Sequence, residues 1–389
     1  MSKLEELIQE YCPDGVVYKK LEDCCNILDR KRRPVTKAVR EAGEYPYYGA
    51  NGIQDYVSEY IFDGTFVLVG EDGSVITPTG RPVVNWAEGK IWVNNHAHIV
   101  EEKEGVHLRF LYHFIQTVDI TAYIHGNIPK FTGGDFRSLQ VPVPPLPVQE
   151  EIVRILDSFT QLTAELQAEL QARKKQYEYY RNELLNPKAG TPLVRLGDFA
   201  TIIRGGNFQK KDFSSDGKYP CIHYGQMYTY FGVYTGKVLK YLDKGVFDAS
   251  KKAFKNDIVM AVTSENVEDV CSCVAWLGEE TIAVSGHTAI IHHNQNPKYL
   301  SYYFRTQHFF NQKTKIAHGT KVIEVTPSSL LDCLIPLPSL EEQNEIVAVL
   351  DRFDGLCNDI STGLPAEIEA RRKQYEYYRD RLLTFKELS

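Results

Sequence analysis

Arg30-Lys31-Arg32-Arg33, with Lys37 and Arg40 close behind, concentrate positive charge in one short stretch, and Tyr47, Tyr48 and Asn51 follow in the next loop. A second stretch repeats that mixture: Arg204, Asn207, Gln209, Lys210 and Lys211, then Tyr224, Gln226 and Tyr228. Guanidinium and ammonium groups pair with phosphates and with guanine edges, and Asn and Gln amides pair with adenine. Both stretches are therefore candidate DNA contacts. The plainer alternative for each residue is a solvated loop charge or a core tyrosine.

Other chemistries find less support. His96-x-His98 and His292-His293 could ligate a metal, but histidines on strands and turns are more often structural, and no metal site is assigned. No G-x-G-x-x-G follows a strand, and there is no Walker A loop or G-x-S-x-G elbow. Neither Asn186-Pro187-Lys188-Ala189 nor Asn296-Pro297-Lys298-Tyr299 is the N-P-P-Y motif with which an adenine methyltransferase stacks its target base. Pro13-Asp14 lacks the E-x-K partner of a nuclease. No residue is assigned a catalytic role.

The chain has 389 residues, 43% hydrophobic and 24% charged, enough for two or three domains with ample core. No apolar run approaches the ~20 residues of a membrane span, and the first residues, MSKLEELIQEY, have no secretory pattern. The eight cysteines form no C-x-x-C pair, which fits reduced thiols in a cytoplasm. A net charge of −7 argues weakly against nucleic acid, but its distribution is uneven. Residues 1–145 carry 15 Lys and Arg against 20 Asp and Glu, net −5; residues 188–335 carry 17 against 13, net +4. A DNA-reading surface needs only local positive potential.

What must position these groups is an internal repeat. Lys175-Gln176-Tyr177-Glu178-Tyr179-Tyr180-Arg181 returns as Lys373-Gln374-Tyr375-Glu376-Tyr377-Tyr378-Arg379. Upstream, Gln149, Glu151-Ile152-Val153 and Leu156-Asp157-Ser158-Phe159 match Gln343, Glu345-Ile346-Val347 and Leu350-Asp351-Arg352-Phe353, each after a Pro-rich lead-in. Apolar residues at 3–4 spacing predict a long helix in each copy: Phe159, Leu162, Leu166, Leu170, Tyr177 and Tyr180 in the first; Phe353, Leu356, Ile360, Leu364, Tyr375 and Tyr378 in the second. The second copy has four more residues between its Phe and its KQYEYYR, a stutter that keeps the seam running, while Gly363 and Pro365 predict a kink or break. Between the helices, short strands and Gly turns recur in the same order. Tyr45-Pro46 matches Tyr219-Pro220, and the His96 strand matches Ser285-Gly286-His287-Thr288. Gly15, Leu21 and Asp23 match Gly190, Leu196 and Asp198, so the halves are circularly related.

On the paired lead-ins at 144–159 and 338–353, the repeated KQYEYYR helices, Gly70-Glu71-Asp72-Gly73 and the Asn-His strand, the whole chain resembles the specificity subunit of a type I restriction-modification system. The resemblance implies an α/β (α+β) fold: two similar target-recognition domains separated by two long helices packed as an antiparallel coiled coil, with pseudo-two-fold symmetry. The boundaries expected are 1–147 for the first recognition domain with its N-terminal helix, 148–187 for the central spacer, 188–338 for the second recognition domain and 339–389 for the C-terminal spacer. It implies a non-catalytic, cytoplasmic subunit in which each domain reads one half of a bipartite double-stranded DNA site. It also implies two methyltransferase subunits on the helices, restriction/translocase subunits in the full complex, and no membrane. No cofactor is expected in this chain; S-adenosylmethionine belongs on the methyltransferase. Thr163-Ala164-Glu165-Leu166 and Gln167-Ala168-Glu169-Leu170 look like the helix repeats that tune the gap, and four residues, roughly 6 Å, come close to two base-pair steps. The other reading of the same features is a protein-interaction scaffold built on the coiled coil.

Overall fold

The computed structural model describes residues 2–359 and 361–388; Ile360, one of the expected seam residues, lies outside them. The chain divides into two compact units, Met1–Gln167 with Glu367–Ser389, and Ala168–Ala366. The helical regions are thus shared out between the units.

The first unit is built on a six-stranded sheet. Its strand order is Asn26–Ile27, Ala97–Glu101, Phe62–Gly70, Val84–Val93, Ala42–Gly49, Gly52–Val57. Neighbours are antiparallel except that Ala42–Gly49 runs parallel to Val84–Val93, with Tyr47 opposite Trp92. The second unit has a five-stranded sheet, in the order Ala200–Arg204, Thr288–His293, Ile258–Ala261, Cys273–Trp276, Tyr234–Thr235. Its first four strands follow the order seen in the first unit. Tyr219–Ile222, the counterpart of Ala42–Gly49, lies in a separate four-stranded sheet, parallel to Ile282–Val284. Val-, Ile- and Leu-rich strands such as Val67-Leu68-Val69 and Ile258-Val259-Met260 are wholly buried, as strands covered on both faces must be.

A small two-stranded ribbon ties each unit to its helical neck: Val17–Lys20 with Gln140–Val143, and Leu193–Arg195 with Leu334–Pro336. Just beyond each ribbon a fully buried glutamine locks the helix start. Gln149 accepts from the His107 N–H (2.8 Å) and donates to the Pro144 carbonyl (2.7 Å). Gln343 accepts from the Asn296 N–H (3.0 Å) and donates to the Pro338 carbonyl (2.9 Å). A buried amide is tolerated only when so satisfied. The N-P-K-Y motif is spent on structure here. The Asn296 side chain caps the helix Pro297–Tyr303, and buried Tyr299 donates to the Pro336 carbonyl (2.7 Å).

The central helix runs unbroken from Leu146 to Leu185, 40 residues. The C-terminal region does not: it forms Leu340–Asn358 and Leu364–Leu382. The Asp359 carboxylate accepts from Ser361 and Thr362 and closes a turn in the gap. A Cβ on Gly363 would lie 2.5 Å from the Gly355 carbonyl oxygen, so only glycine fits there. The expected break occurs, and the stutter does not carry an uninterrupted seam through it. Leu356 is exposed, a further departure from a full-length seam, while Leu162, Leu166 and Leu364 are half-buried. Leu170 and Phe353 pack against the core of the second unit, which includes buried Tyr177.

Candidate nucleic-acid interface

The second unit gathers several of its expected contact residues at one place. Strand Ala200–Arg204 ends at Gly205-Gly206, where backbone segments approach too closely for side chains. A Cβ on Gly205 would sit 2.0 Å from the Ser285 oxygen, and one on Gly206 2.8 Å from the Lys251 nitrogen. The chain then alternates. Phe208 is buried with Cys221, Leu242 and Ala283, which turns Asn207 and Gln209 outward. The Gln209 N–H donates to Asp212 (2.7 Å) and opens the turn Lys210–Asp212, leaving Lys210 and Lys211 exposed. Asn207, Gln209, Lys210, His223, Tyr224 and His287 line one cavity of about 530 Å³. Burial, then the Lys210 charge and the neighbouring His287 ring, pushes the His223 imidazole down to about 4. Its Nδ1 accepts from the Gly225 N–H (3.2 Å). Arg204 stands outside the cavity, paired with Glu324 (3.0 Å).

Two expected contacts of this unit face inward instead. Gln226 is buried, its Oε1 accepting from the His223 N–H (2.8 Å), so it caps the turn rather than reaching a ligand. The Tyr228 hydroxyl donates to the Thr263 carbonyl (2.7 Å), and burial pushes its pKa up to about 12.

In the first unit Arg30, Lys31, Arg33 and Lys37 are exposed and make no ion pair with the described residues; Asn51 is exposed in the turn between strands Ala42–Gly49 and Gly52–Val57. Arg32 differs. Its guanidinium turns inward, donating to the Ala97 carbonyl (2.8 Å) and to Glu71, with Nε on the Asp29 carbonyl (2.8 Å). It is a structural clamp. Tyr47 and Tyr48 are buried as well, because their strand is paired on both sides: Tyr47 opposite Asp55 and Trp92, Tyr48 opposite Ile53 and Val93. The Tyr47 hydroxyl is taken by the backbone of Val35, and the Arg40 guanidinium lies 4.0 Å above its ring. Those three leave the list of direct contacts.

Asp29, Glu71 and His98 offer ligand atoms near one another. Their charge is already met by protein groups. His98 bridges Asp29 (2.8 Å) and the Phe131 carbonyl (3.1 Å), and Arg32, Arg137 and Lys130 lie on the two carboxylates. This is an ion-pair network under the basic loop. The sequence marks His287 as a contact only faintly. Its only signal was the match of Ser285-Gly286-His287-Thr288 to the His96 strand.

All eight cysteines are buried and unbridged. Among the described residues no helix is long and apolar enough to cross a membrane.

The sequence profile of the type I restriction modification DNA specificity domain matches residues 13–173 and again 191–370. A Haemophilus influenzae protein named as a type I restriction enzyme specificity subunit is 35% identical, with 98% of each chain covered. A type I restriction enzyme specificity subunit of Escherichia coli is 33% identical over 72% of this chain and 71% of its own. Among solved structures, an S subunit of a type I system from M. genitalium superposes with a TM-score of 0.54 at 13% identity, covering 95% of this chain and 96% of the other. A chain from a study of type I complex assembly gives 0.57 at 16%, covering 95% and 98%. These two similarities concern the fold.

Proposed function

The chain belongs to the type I restriction-modification DNA specificity family, whose role is recognition of a DNA target, and on that footing we propose a division of labour within it. Each unit reads one half of a bipartite duplex site. The helical regions set the number of unread base pairs between the halves and seat two methyltransferase subunits. Methylation, with its S-adenosylmethionine, and cleavage reside in partner subunits, and this chain contributes no catalytic group.

The observation that carries this reading is the contrast between necks and loops. Gln149 and Gln343 each accept from a backbone N–H and donate to a proline carbonyl, and Asp157 and Asp351 each hold two side chains of one helix in their own unit, Arg109 and His113 in the first and Lys298 and Tyr302 in the second. The loops above them differ: an Arg32–Glu71 ion pair in one unit, an open polar cavity in the other. Equal necks suit two copies of one partner, and unequal loops suit two different half-sites. Deleting Thr163–Leu166 tests the assignment. A DNA reader keeps both half-sites but recognises them at an altered gap, shortened by no more than about two base pairs. A protein-interaction scaffold shows no change in any DNA target.

A further inference from the structure

Asn207, Gln209, Lys210, Tyr224 and His287 surround one cavity; Gln209 shares a capping box with Asp212, and the side chains of the other four have no hydrogen-bond or ion-pair partner among the described residues. This is unusual company. Of the other cations of the same unit, Arg204 is held on Glu324, Lys244 on Asp248 and Lys255 on Glu279, while Lys211, outside the cavity, is exposed and makes no ion pair with the described residues.

The floor of the cavity is held in place. His287 has φ +62, a left-handed conformation uncommon for a residue with a side chain. Four bonds maintain it: Val262 N–H to the His287 carbonyl (2.9 Å), Thr288 Oγ1 to the Ser285 carbonyl (2.6 Å), Gly205 N–H to the Thr288 carbonyl (2.9 Å) and Gly206 N–H to the Val284 carbonyl (2.8 Å). Backbone strain of this kind concentrates where a side chain must be presented to a ligand. The His287 ring lies 5.2 Å from Tyr224, which in turn lies 4.5 Å from His223. A second cavity of about 440 Å³ shares Tyr224 and His287 and extends toward Glu265 and Asp269.

We propose that this cavity is the base-reading pocket of the second unit and that it takes the major-groove edge of a guanine, with Lys210 as principal donor and His287 as a positioned polar contact. This rests on the DNA-recognition reading and deepens it. Lys210 offers donors only, whereas Asn207 and Gln209 can donate or accept. A guanine edge presents two acceptors, N7 and O6, whereas an adenine edge pairs an acceptor with a donor. The one unpaired cation of the cavity therefore favours guanine.

The test uses the complex with its methyltransferase subunit, mapping modified adenines across a genome for the native chain and for Lys210→Gln and His287→Gly. Glycine removes the imidazole while tolerating the left-handed backbone. Both variants should relax one G·C position of one half-site by roughly tenfold or more and leave the other half-site intact. The intact half-site shows that the variant has folded and assembled. Retention of full discrimination at every position overturns the pocket assignment, and so does a relaxed position that is A·T. Uniform loss of modification without relaxed sequence overturns it too, because Lys210 would then be holding a phosphate. A native complex that modifies no bipartite motif brings down the DNA-recognition reading itself, an outcome distinct from failure of the variants alone.

Discussion

Phe159 stacks on Tyr378 at 5.4 Å between ring centroids, with the planes 18° apart. In the other unit Phe353, the repeat partner of Phe159, stacks on Tyr180, the repeat partner of Tyr378, also at 5.4 Å and 26°. Each unit therefore takes its phenylalanine from one helical copy and its tyrosine from the other. This is the circular relation of the two halves expressed as a contact. Truncating Phe159 or Tyr378 to Ala should lower stability by about 1–2 kcal/mol, with a coupling of about 0.5–1.5 kcal/mol between them in a double-mutant cycle. Phe159→Ala with Tyr180→Ala should be additive, since these two stack in different units.

The buried glutamines make a stricter test of the same symmetry. Gln149→Leu leaves the His107 N–H and the Pro144 carbonyl without the partner that served both. A loss of about 2–4 kcal/mol is expected in chemical denaturation, and Gln343→Leu should match it. A neutral result for either would mean that the neck does not depend on the amide.

Arg32 and Lys31 are neighbours in sequence with opposite consequences. Arg32→Ala takes from Glu71 its nearest cation, leaving only Lys130 at 4.0 Å, removes the bonds to the Asp29 and Ala97 carbonyls in a part-buried site, and should cost about 2–4 kcal/mol of stability. Lys31→Ala should leave the melting temperature unchanged but weaken DNA binding by the complex, lowering the slope of log K against log salt by about 1.

Acid sensitivity should come first from histidine. Burial pushes His293 down to about 4, as it does His223. In the unfolded chain both titrate near ~6.5, so between these values the unfolded state binds more protons and stability falls as pH falls. His293 alone should cost on the order of 2–3 kcal/mol by pH 4. Glu151 acts in a lower window: Arg154 and Lys3 hold its carboxyl down at about 2, so its contribution is full above ~4.5 and lost only below. Melting curves from pH 7.5 to 4 should show the histidine loss, and His293→Gln should flatten it.

Much of this architecture is legible in the sequence because it is periodic or repeated. The KQYEYYR copies, the apolar 3–4 pattern of the central helix and the break near Gly363 depend on local spacing, and local spacing is what a sequence displays. The inward-facing residues were hidden for a different reason. Tyr47 and Tyr48 look like loop aromatics until strands from both sides pair with them, and that pairing is non-local. Arg32 reads like its exposed neighbours because Glu71 and Ala97, which claim it, lie far along the chain. Gln226 looks like a base reader, yet its amide closes a turn three residues wide. His287 owes its place to a backbone angle that composition does not encode. The helical stretch 148–187 reads as one spacer, whereas its contacts divide it, Phe159 toward Tyr378 and Tyr180 toward Phe353.

The most direct measurement is to co-express this chain with its methyltransferase subunit and map modified adenines across a genome. Two half-readers on one spacer predict a single bipartite motif with a fixed unread gap, both half-sites appearing together. A stable complex that leaves the genome unmodified, or modifies a continuous motif with no gap, would contradict the account.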